Sequence, residues 1–232
     1  MRPKLSIPKE IYLKADGTYF KRWGCALAFK AGEKIIFWDF VERENYFRYC
    51  SDFSQITNLG YIVKGVTSDW HGSLVAAVKT NFPAVPHQRC LVHAKRLCRT
   101  LLTSHPETKA GQNLLELATI LPHIKTEAEK LVWLKWLARF EKRYSEVLNE
   151  RTYAIDHRHW WFTHRKVRQA FRTLNTTTDH LFLFLKYPLL TSNTNCLEAE
   201  FTHLKQKLKI HNGLKRSRKV NFIRWYFYFK SP

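Results

Sequence analysis

The sequence contains no uninterrupted apolar run of about 18 residues, the length that a membrane-spanning helix requires. We also find no signal peptide and no lipidation signal in it. Spanning or lipid-anchored membrane proteins are therefore disfavoured classes, and we expect no membrane partner.

Cysteine is scarce and does not suit a disulfide framework. The five cysteines are odd in number and scattered along the chain: Cys25, Cys50, Cys90, Cys98 and Cys196. Unpaired thiols are typical of a reducing compartment, so we expect a cytoplasmic protein.

Acidic residues are few relative to basic ones. The 232 residues include 39 lysines and arginines but only 19 aspartates and glutamates, which gives a formal net charge of +20. Hydrophobic residues make up 45% of the chain and aromatic residues 15%, which excludes a disordered tail and suffices for a buried core. A strongly basic globular chain favours a polyanionic partner, most simply nucleic acid.

The start of the chain predicts three antiparallel strands and a helix: apolar residues alternate in the first strand, and a turn at Ala31-Gly32-Glu33 joins the next two as a hairpin. The strands are predicted over residues 11–20, 25–30 and 34–41, and the helix over residues 45–57. Asp16 lies in the first strand, where an aspartate is unfavourable. Asp16-Gly17 is also a common hairpin signal, so a turn is the alternative to a functional role.

A second aspartate, Asp69, follows a buried strand predicted over residues 60–67. A helix is predicted next, over residues 73–81, and a short fifth strand over residues 85–91. In open α/β sheets, ligand and metal sites gather where strands give way to helices. Asp69 is thus a candidate ligand, and a helix cap is the alternative.

Residues 93 to about 190 show helical periodicity throughout. Within this stretch basic residues alternate with aromatic ones, and the C-terminal tail has the same composition. Such mixtures suit stacking on bases and contact with phosphates. The candidate DNA-binding residues are Arg158, Arg165, Lys166, Lys215 and Arg216. The alternative is that the tryptophans fill a helical core while the charges stay solvated.

A late amphipathic helix carries a third carboxylate. Its apolar stripe recurs at three- and four-residue spacing, at Leu197, Phe201, Leu204 and Leu208. Glu198 lies in the first turn at the edge of this stripe, and Lys205 and Lys209 follow on its flank, where they can bind phosphates. Asn195-x-x-Glu198 is also the spacing of a helix-capping pair, which is the alternative role for Glu198.

These three acidic residues can form one metal site. Two divalent ions about 4 Å apart can hold the attacking and leaving oxygens of an in-line phosphoryl displacement. Mg²⁺ prefers oxygen ligands and takes one or two carboxylates besides substrate phosphates. Asp16, Asp69 and Glu198 would supply such a set if the first and fourth strands are neighbours and the late helix packs against them.

Several short motifs match those of a known family in order and spacing. They are Asp16-Gly17-Thr18-Tyr19-Phe20, Asp69 followed by Gly72-Ser73-Leu74, Phe82-Pro83 before Gln88-Arg89-Cys90-Leu91-Val92-His93, Thr194-Asn195-Cys196-Leu197-Glu198, and His211-Asn212-Gly213. On these motifs the chain resembles the catalytic core of DDE transposases of the bacterial insertion-sequence and Mutator-like group.

The resemblance implies an α/β, RNase H-like fold with a mixed five-stranded sheet, flanking helices and an all-helical insertion domain. It implies a core at residues 1–92 and 179–232 and an insertion domain at residues 93–178. It also implies that Asp16, Asp69 and Glu198 are catalytic and bind Mg²⁺ or Mn²⁺. Glu198 is preferred to Glu200 because the family motif places the glutamate three residues after the asparagine.

Cys90 and His93 resemble the Cys-x-x-His motif of the family, which implies a role near the active site or in transposition itself. Such a pair can be half of a zinc site, but no convincing second pair follows, so we do not expect structural zinc. A buried thiol beside a hydrogen-bonded histidine is the alternative. The roles of Cys90, His93 and Asn195 therefore stay open.

By resemblance, the chain cuts and joins DNA phosphodiesters at mobile-element ends, as a nucleoid-associated bacterial protein. Bringing two DNA ends together favours a homodimer. Transposases of this group usually carry an N-terminal DNA-binding module, and few residues precede the first predicted strand here. The alternatives are therefore a fragment or truncated remnant that only binds DNA, or another RNase H-like nuclease. An unrelated RNA-binding protein would give the three carboxylates no role.

Overall fold

The computed structural model describes Leu5, residues 7–156 and residues 158–231. The chain divides into two compact units: a first unit up to Cys90 and again from Pro188, and a second unit from Leu91 to Tyr187. The domain limits predicted from the sequence, at residues 92 and 178, remain predictions. Residues 1–4, 6, 157 and 232 of the predicted domains lie outside the described residues.

A five-stranded mixed sheet forms the centre of the first unit. Its strands are β1 (Lys9–Tyr19), β2 (Cys25–Ala31), β3 (Lys34–Val41), β4 (Tyr61–Ser68) and β5 (His87–Arg89). They lie in the order β3-β2-β1-β4-β5; β2 is antiparallel to both β1 and β3, whereas β4 is parallel to β1 and β5. The predicted α/β class with a mixed five-stranded sheet is confirmed.

Four helices of eight residues or more flank this sheet in the described part of the first unit. They are α1 (Tyr46–Asn58), α2 (Gly72–Asn81), α10 (Asn195–Ile210) and α11 (Arg216–Lys230). Helix α1 begins where the Asn45 side chain accepts a hydrogen bond from the backbone of Arg48, 2.9 Å away, which supplies a partner for one unpaired amide of the first turn.

The helices cover both faces of the sheet because side chains of a strand alternate between faces. One face of β2 contributes Leu27 and Phe29 to a core shared with α1 and α2. The opposite face contributes Ala26 and Ala28. Their small side chains leave room for the apolar stripe of α10 and for α11, whose core residues are Leu197, Phe201, Leu204, Leu208, Ile223 and Phe227.

Strand β1 continues through the Asp16-Gly17 pair. Asp16 is paired with Ala28 of β2 and Gly17 with Leu27, so both belong to the ladder. The chain reverses only after Tyr19, where the amide of Phe20 donates to the carbonyl of Gly24 at 2.8 Å. The turn considered for Asp16-Gly17 is therefore wrong, because the pairing with β2 outweighs the local turn propensity of these two residues.

The second unit is mainly helical. Its elements are α3 (Leu91–Leu102), α4 (Lys109–Ile120), a 3-10 turn at Leu121–His123, α5 (Glu127–Arg143), α6 (Ser145–Asn149), β6 (Arg151–Tyr153), β7 (Trp160–Phe162), α7 (Arg165–Thr176), α8 (Thr178–Leu181) and α9 (Leu183–Lys186). The indole of Trp133 on α5 is buried and donates to the carbonyl of Leu117 at 2.9 Å, which ties α5 to α4.

The structure corrects two predictions, one at the β6–β7 hairpin and one at β5. Arg151–Tyr153 and Trp160–Phe162 pair as antiparallel strands, so an all-helical segment is wrong here. The predicted fifth strand is also shorter than expected, because α3 already begins at Leu91. Strands of three residues are too short to show alternation in a sequence. Within the described ranges, no helix is both long and apolar enough to cross a bilayer.

Candidate active site

Asp16 lies within β1 at the level where the neighbouring strand β4 ends and Asp69 follows it. Strands β1 and β4 are parallel, with Ala15 opposite Ser68. Asp16 and Asp69 each follow one of these paired residues directly. The first and fourth strands are therefore neighbours, as the predicted metal site requires. Their pairing brings together two residues that are far apart in the chain.

The carboxylate of Asp16 is buried and accepts hydrogen bonds on both oxygens. Asp16 is only 4% exposed to solvent. Oδ1 accepts from the backbone amide of Gly17 at 2.8 Å, and Oδ2 accepts from the hydroxyl of Thr194 at 3.0 Å. These bonds fix the orientation of the carboxylate, because a buried acceptor loses free energy if its partner is removed.

The side chain of Glu198, a residue near the C-terminal end of the chain, lies close to that of Asp16. It lies in the first turn of α10 and is half-buried. A carboxylate oxygen of Glu198 lies within 4.8 Å of one of Asp16. Because α10 packs its apolar stripe on the sheet, Glu198 at the edge of that stripe is directed to the end of β1.

The capping pair considered for Asn195 and Glu198 is not formed. Helix α10 begins at Asn195, and the residue at the N-cap position is Thr194. Thr194 makes no side-chain cap hydrogen bond within the described residues, and its hydroxyl instead donates to Asp16. The side chain that would normally cap the helix therefore links α10 to β1.

Glu200 has a different environment from Glu198. The hydroxyl of Tyr226 donates to its carboxylate at 2.9 Å, and the ammonium of Lys230 lies 3.4 Å away. Burial raises the pKa of Tyr226, and the hydrogen bond to Glu200 raises it further. Glu200 thus binds α11, which favours Glu198 as the metal ligand where helix periodicity alone did not decide.

Asp69 forms a turn rather than a helix cap. Its Oδ1 accepts from the backbone amide of His71 at 3.0 Å, and His71, not Asp69, is the N-cap residue of α2. The Asp69 carbonyl lies 3.4 Å from Nη1 of Arg89 on β5, which donates to it. Burial lowers the pKa of Arg89 to about 10, an effect that the negative charge of Asp69 opposes.

A fourth carboxylate, Glu44, lies beside the same end of β1 and was not found from the sequence. Its side chain is 5% exposed, and its Oε1 is 2.9 Å from where a Cβ on Gly17 would lie. It accepts from the hydroxyl of Tyr49 at 2.6 Å and lies 3.5 Å from Nδ1 of His71. No pattern of spacing marks Glu44, because only the fold brings it to Gly17.

The segment before α10 is bound to both central strands. The hydroxyl of Thr67 on β4 donates to the carbonyl of Thr191 at 2.9 Å, while Thr194 binds Asp16 on β1. Cys90, which is fully buried, has its sulfur 3.7 Å from the Thr194 hydroxyl. Cys90 is thus a neighbour of the residue that positions Asp16. His93 is half-buried in the first turn of α3.

The predicted DNA-binding residues of the first unit are exposed. The ammonium of Lys205 donates to the hydroxyl of Thr18 at 2.6 Å, two residues beyond Asp16 on β1. Lys209 lies one turn further along α10. Lys215 precedes α11, and the guanidinium of Arg216 donates to the carbonyl of Trp23 at 3.0 Å.

The predicted basic residues of the second unit belong to the hairpin and the helix that follows it. Arg158, Arg165 and Lys166 are all exposed. Trp160 and Trp161 are 44% and 49% exposed, so the idea that they fill a helical core is wrong. Exposed aromatic rings beside cations are available for stacking on bases.

An α/β sheet with carboxylates gathered at one end and lysines beside them has the features of proteins that process nucleic acid. The model of the family "Transposase, Mutator family" matches residues 34–181, more than half of the chain, and the chain belongs to this family. Asp69 lies within the matched residues, whereas Asp16 and Glu198 lie outside them. No curated protein matches the chain. Family membership makes DNA the partner of this chain.

Proposed function

We propose that the chain is the catalytic core of a DDE transposase that cuts and joins DNA at the ends of a mobile element. The proximity of the Asp16 and Glu198 carboxylates, from opposite ends of the chain, carries the proposal. The position of Asp69 beside Asp16 on the neighbouring strand supports it. The strand order β3-β2-β1-β4-β5 supports an RNase H-like fold, as do the antiparallel pairing of β1, β2 and β3 and the parallel pairing of β1, β4 and β5.

The donor atoms fit Mg²⁺ or Mn²⁺. Both ions prefer oxygen ligands, and the oxygens of Asp16 and Glu198 are close enough for both to approach one ion. Asp69 would be the third ligand. The ions would supply Lewis-acid stabilisation of the charge that develops on the phosphoryl oxygens.

The residues of the chain have separate tasks in this reaction. Thr194 and the Gly17 amide hold the Asp16 carboxylate in one orientation. The lysines of α10 bind the DNA backbone through its phosphates. In the first step, water attacks a phosphodiester at the element end, and the hydrolysis produces a 3′-hydroxyl and a 5′-phosphate. In the second step, strand transfer, this 3′-hydroxyl attacks a phosphodiester of the target DNA.

The finer organisation also belongs to the proposal. Residues 93–178 are proposed as an insertion domain that interrupts the core, with a small hairpin among its helices. A homodimer would hold two element ends together. A cytoplasmic, nucleoid-associated location follows from a DNA substrate.

Metal-dependent nicking of supercoiled plasmid tests the proposal. Asp16→Asn, Asp69→Asn and Glu198→Gln should each lower the nicking rate at least about a thousandfold, or about 4 kcal/mol of transition-state stabilisation. Glu200→Gln is the matched control on the same helix and should retain most of the rate. If the three variants nick as fast as the unchanged protein, the assignment is wrong.

The same assay separates the non-catalytic alternative. A remnant that only binds DNA would bind plasmid with strong salt dependence and would not nick it in Mg²⁺ or Mn²⁺. Replacing DNA by RNA substrates tests the alternative of another RNase H-like nuclease, which would cut them.

A further inference from the structure

A groove of about 480 Å³ lies in the first unit between the end of β1 and α10. We call it the lysine groove, and its lining residues are Tyr19, Phe20, Lys21, Trp23, Lys205, Leu208, Lys209, Asn212 and Lys219. Four of these are lysines, and among the described residues that line it none is acidic. The groove therefore presents concentrated positive charge to an anionic ligand.

The lysine groove continues from the proposed active site. Tyr19 lies three residues beyond Asp16 on β1, about 10 Å along the strand. Lys205 lies seven residues beyond Glu198, about 10 Å along α10. At the rise of about 3.4 Å per nucleotide of a stacked strand, both distances correspond to roughly three steps, and an extended unpaired strand covers them in fewer. A strand with its reacting phosphate at the carboxylates would reach the groove within a few nucleotides.

The floor of the groove is aromatic. The rings of Phe20 and Trp23 lie 5.5 Å apart with a tilt of 43°, and the Lys205 ammonium is 5.7 Å from the centre of the Phe20 ring. Tyr19 is 45% exposed and Trp23 is half-buried, so both offer part of a ring to the groove. Lysines alone suffice for duplex phosphates, whereas aromatic faces serve bases that have left the stack.

We propose that the lysine groove binds two or three unpaired nucleotides of the DNA strand next to the cleaved phosphodiester. Tyr19 and Trp23 stack on the bases, and Lys21, Lys209 and Lys219 bind the phosphates. The inference rests on the proposed function, because the carboxylates of that site define which nucleotides reach the groove. It adds a preference for single-stranded ends, which duplex binding by basic residues does not give.

Binding of fluorescein-labelled DNA to the full chain in EDTA tests this inference without cleavage. The probes are a 20-base-pair duplex with blunt ends and the same duplex with a three-thymidine 3′ or 5′ overhang. The unchanged protein should bind one of the overhang probes about tenfold more tightly than the blunt probe, a typical effect of stacking one base. Equal affinities for all three probes would overturn the inference.

Variants locate the effect. Trp23→Ala and Tyr19→Ala should each remove most of the tenfold preference while leaving the blunt duplex nearly unchanged, whereas Trp23→Phe and Tyr19→Phe should keep it. Trp225→Ala, at an exposed position of α11 outside the groove, is the matched aromatic control. If Trp23→Ala disturbs folding, Tyr19→Ala decides alone. A preference that survives the loss of the Tyr19 ring contradicts the proposal.

Lysine variants and crosslinking complete the test. Lys209→Gln should weaken overhang binding more than Lys207→Gln, because Lys207 is exposed on the same helix but does not line the groove. An overhang carrying 5-iodouracil should crosslink to residues 19–23, and crosslinks only elsewhere would contradict the proposal. Asp16→Asn should bind the overhang normally but fail to nick, so failure of the groove and failure of the nuclease remain distinguishable.

Discussion

The two basic and aromatic surfaces of this molecule are built in different ways. The lysine groove is assembled from the end of β1, the turn after it, α10 and the start of α11. The β6–β7 hairpin takes its arginines and tryptophans from one continuous run of the chain. In the hairpin, the guanidinium of Arg151 lies 4.1 Å from the centre of the Trp160 ring, and both side chains are exposed.

The difference teaches which surface can position a substrate. The groove is fixed by a sheet and by helices that share its core, so its lysines have defined places relative to Asp16. The hairpin consists of three-residue strands with exposed arginine and tryptophan side chains, which suit contact with DNA more than positioning of a reacting phosphate. We therefore expect changes beside Asp16, such as at Thr194, to affect the rate of reaction. Changes in the groove should affect the preference for overhangs, and changes in the hairpin should affect the affinity for single-stranded DNA.

Outside the three carboxylates, the largest effect should come from Thr194. Thr194→Val removes the hydroxyl that donates to Asp16, and nicking should fall about a hundredfold because a misplaced catalytic group is costly. Thr194→Ser keeps the hydroxyl and should retain most of the rate. Nicking at saturating DNA and metal measures both. If valine and serine behave alike, the hydrogen bond does not position Asp16.

The hairpin should give a smaller effect on a different quantity. Replacing Trp160 and Trp161 by alanine removes two exposed stacking surfaces, and affinity for single-stranded DNA should fall about tenfold. The nicking rate at saturating DNA should not change. Trp136→Ala, which removes another exposed tryptophan of the second unit, is the control. A lowered rate at saturation would remove the distinction between the two surfaces.

Charge variants after the hairpin should change the salt dependence. Arg165→Gln combined with Lys166→Gln removes two cations, and the slope of log K against log salt should decrease in magnitude by about 2 if both contact phosphates. Arg165→Lys preserves the charge and should leave the slope unchanged. An unaltered slope in the double variant would place these residues outside the DNA contact.

The smallest effect concerns a buried carboxylate away from the proposed site. Burial, assisted by the charge of Asp39 and opposed by that of Arg48, raises the pKa of Asp52 on α1 from 3.8 to about 8. Between pH 4 and pH 8, roughly, the carboxyl group of Asp52 is therefore protonated in the folded protein and ionised in the unfolded chain. The Asp52 contribution to the free energy of unfolding therefore falls as pH rises from about 4 to about 8.

Asp52→Asn should remove this dependence. The melting temperature of the variant should match that of the unchanged protein near pH 4 and exceed it by a few degrees near pH 8. Thermal unfolding at a series of pH values measures the difference. A constant difference across this range would show that Asp52 is ionised in the fold.

The regular elements were largely predictable from the sequence, because they depend on local patterns. Strands β2 and β3, on either side of the turn at Gly32, and helix α1 lie within about one residue of their predicted bounds. The metal-site prediction required the first and fourth strands to be neighbours, and the sheet meets that condition. The Mutator-family prediction was confirmed by the family match.

The partners of the carboxylates were not predictable. The bond between Thr194 and Asp16 joins residues 178 positions apart, and only the packing of α10 on the sheet creates it. Glu44 and Arg89 reach the site in the same manner. The hairpin was missed because strands of three residues show too little alternation to be separated from helix.

The Thr194 hydroxyl also determines how the protein would lose activity on heating. Because the Thr194 side chain at the start of α10 bonds to Asp16 on β1 instead of capping the helix, fraying of that end releases Asp16 and separates Glu198 from it in one event. Local melting of a few residues would thus inactivate the enzyme while the sheet and its two helical layers remain folded. Heat inactivation of nicking is then expected at lower temperatures than the loss of helical signal.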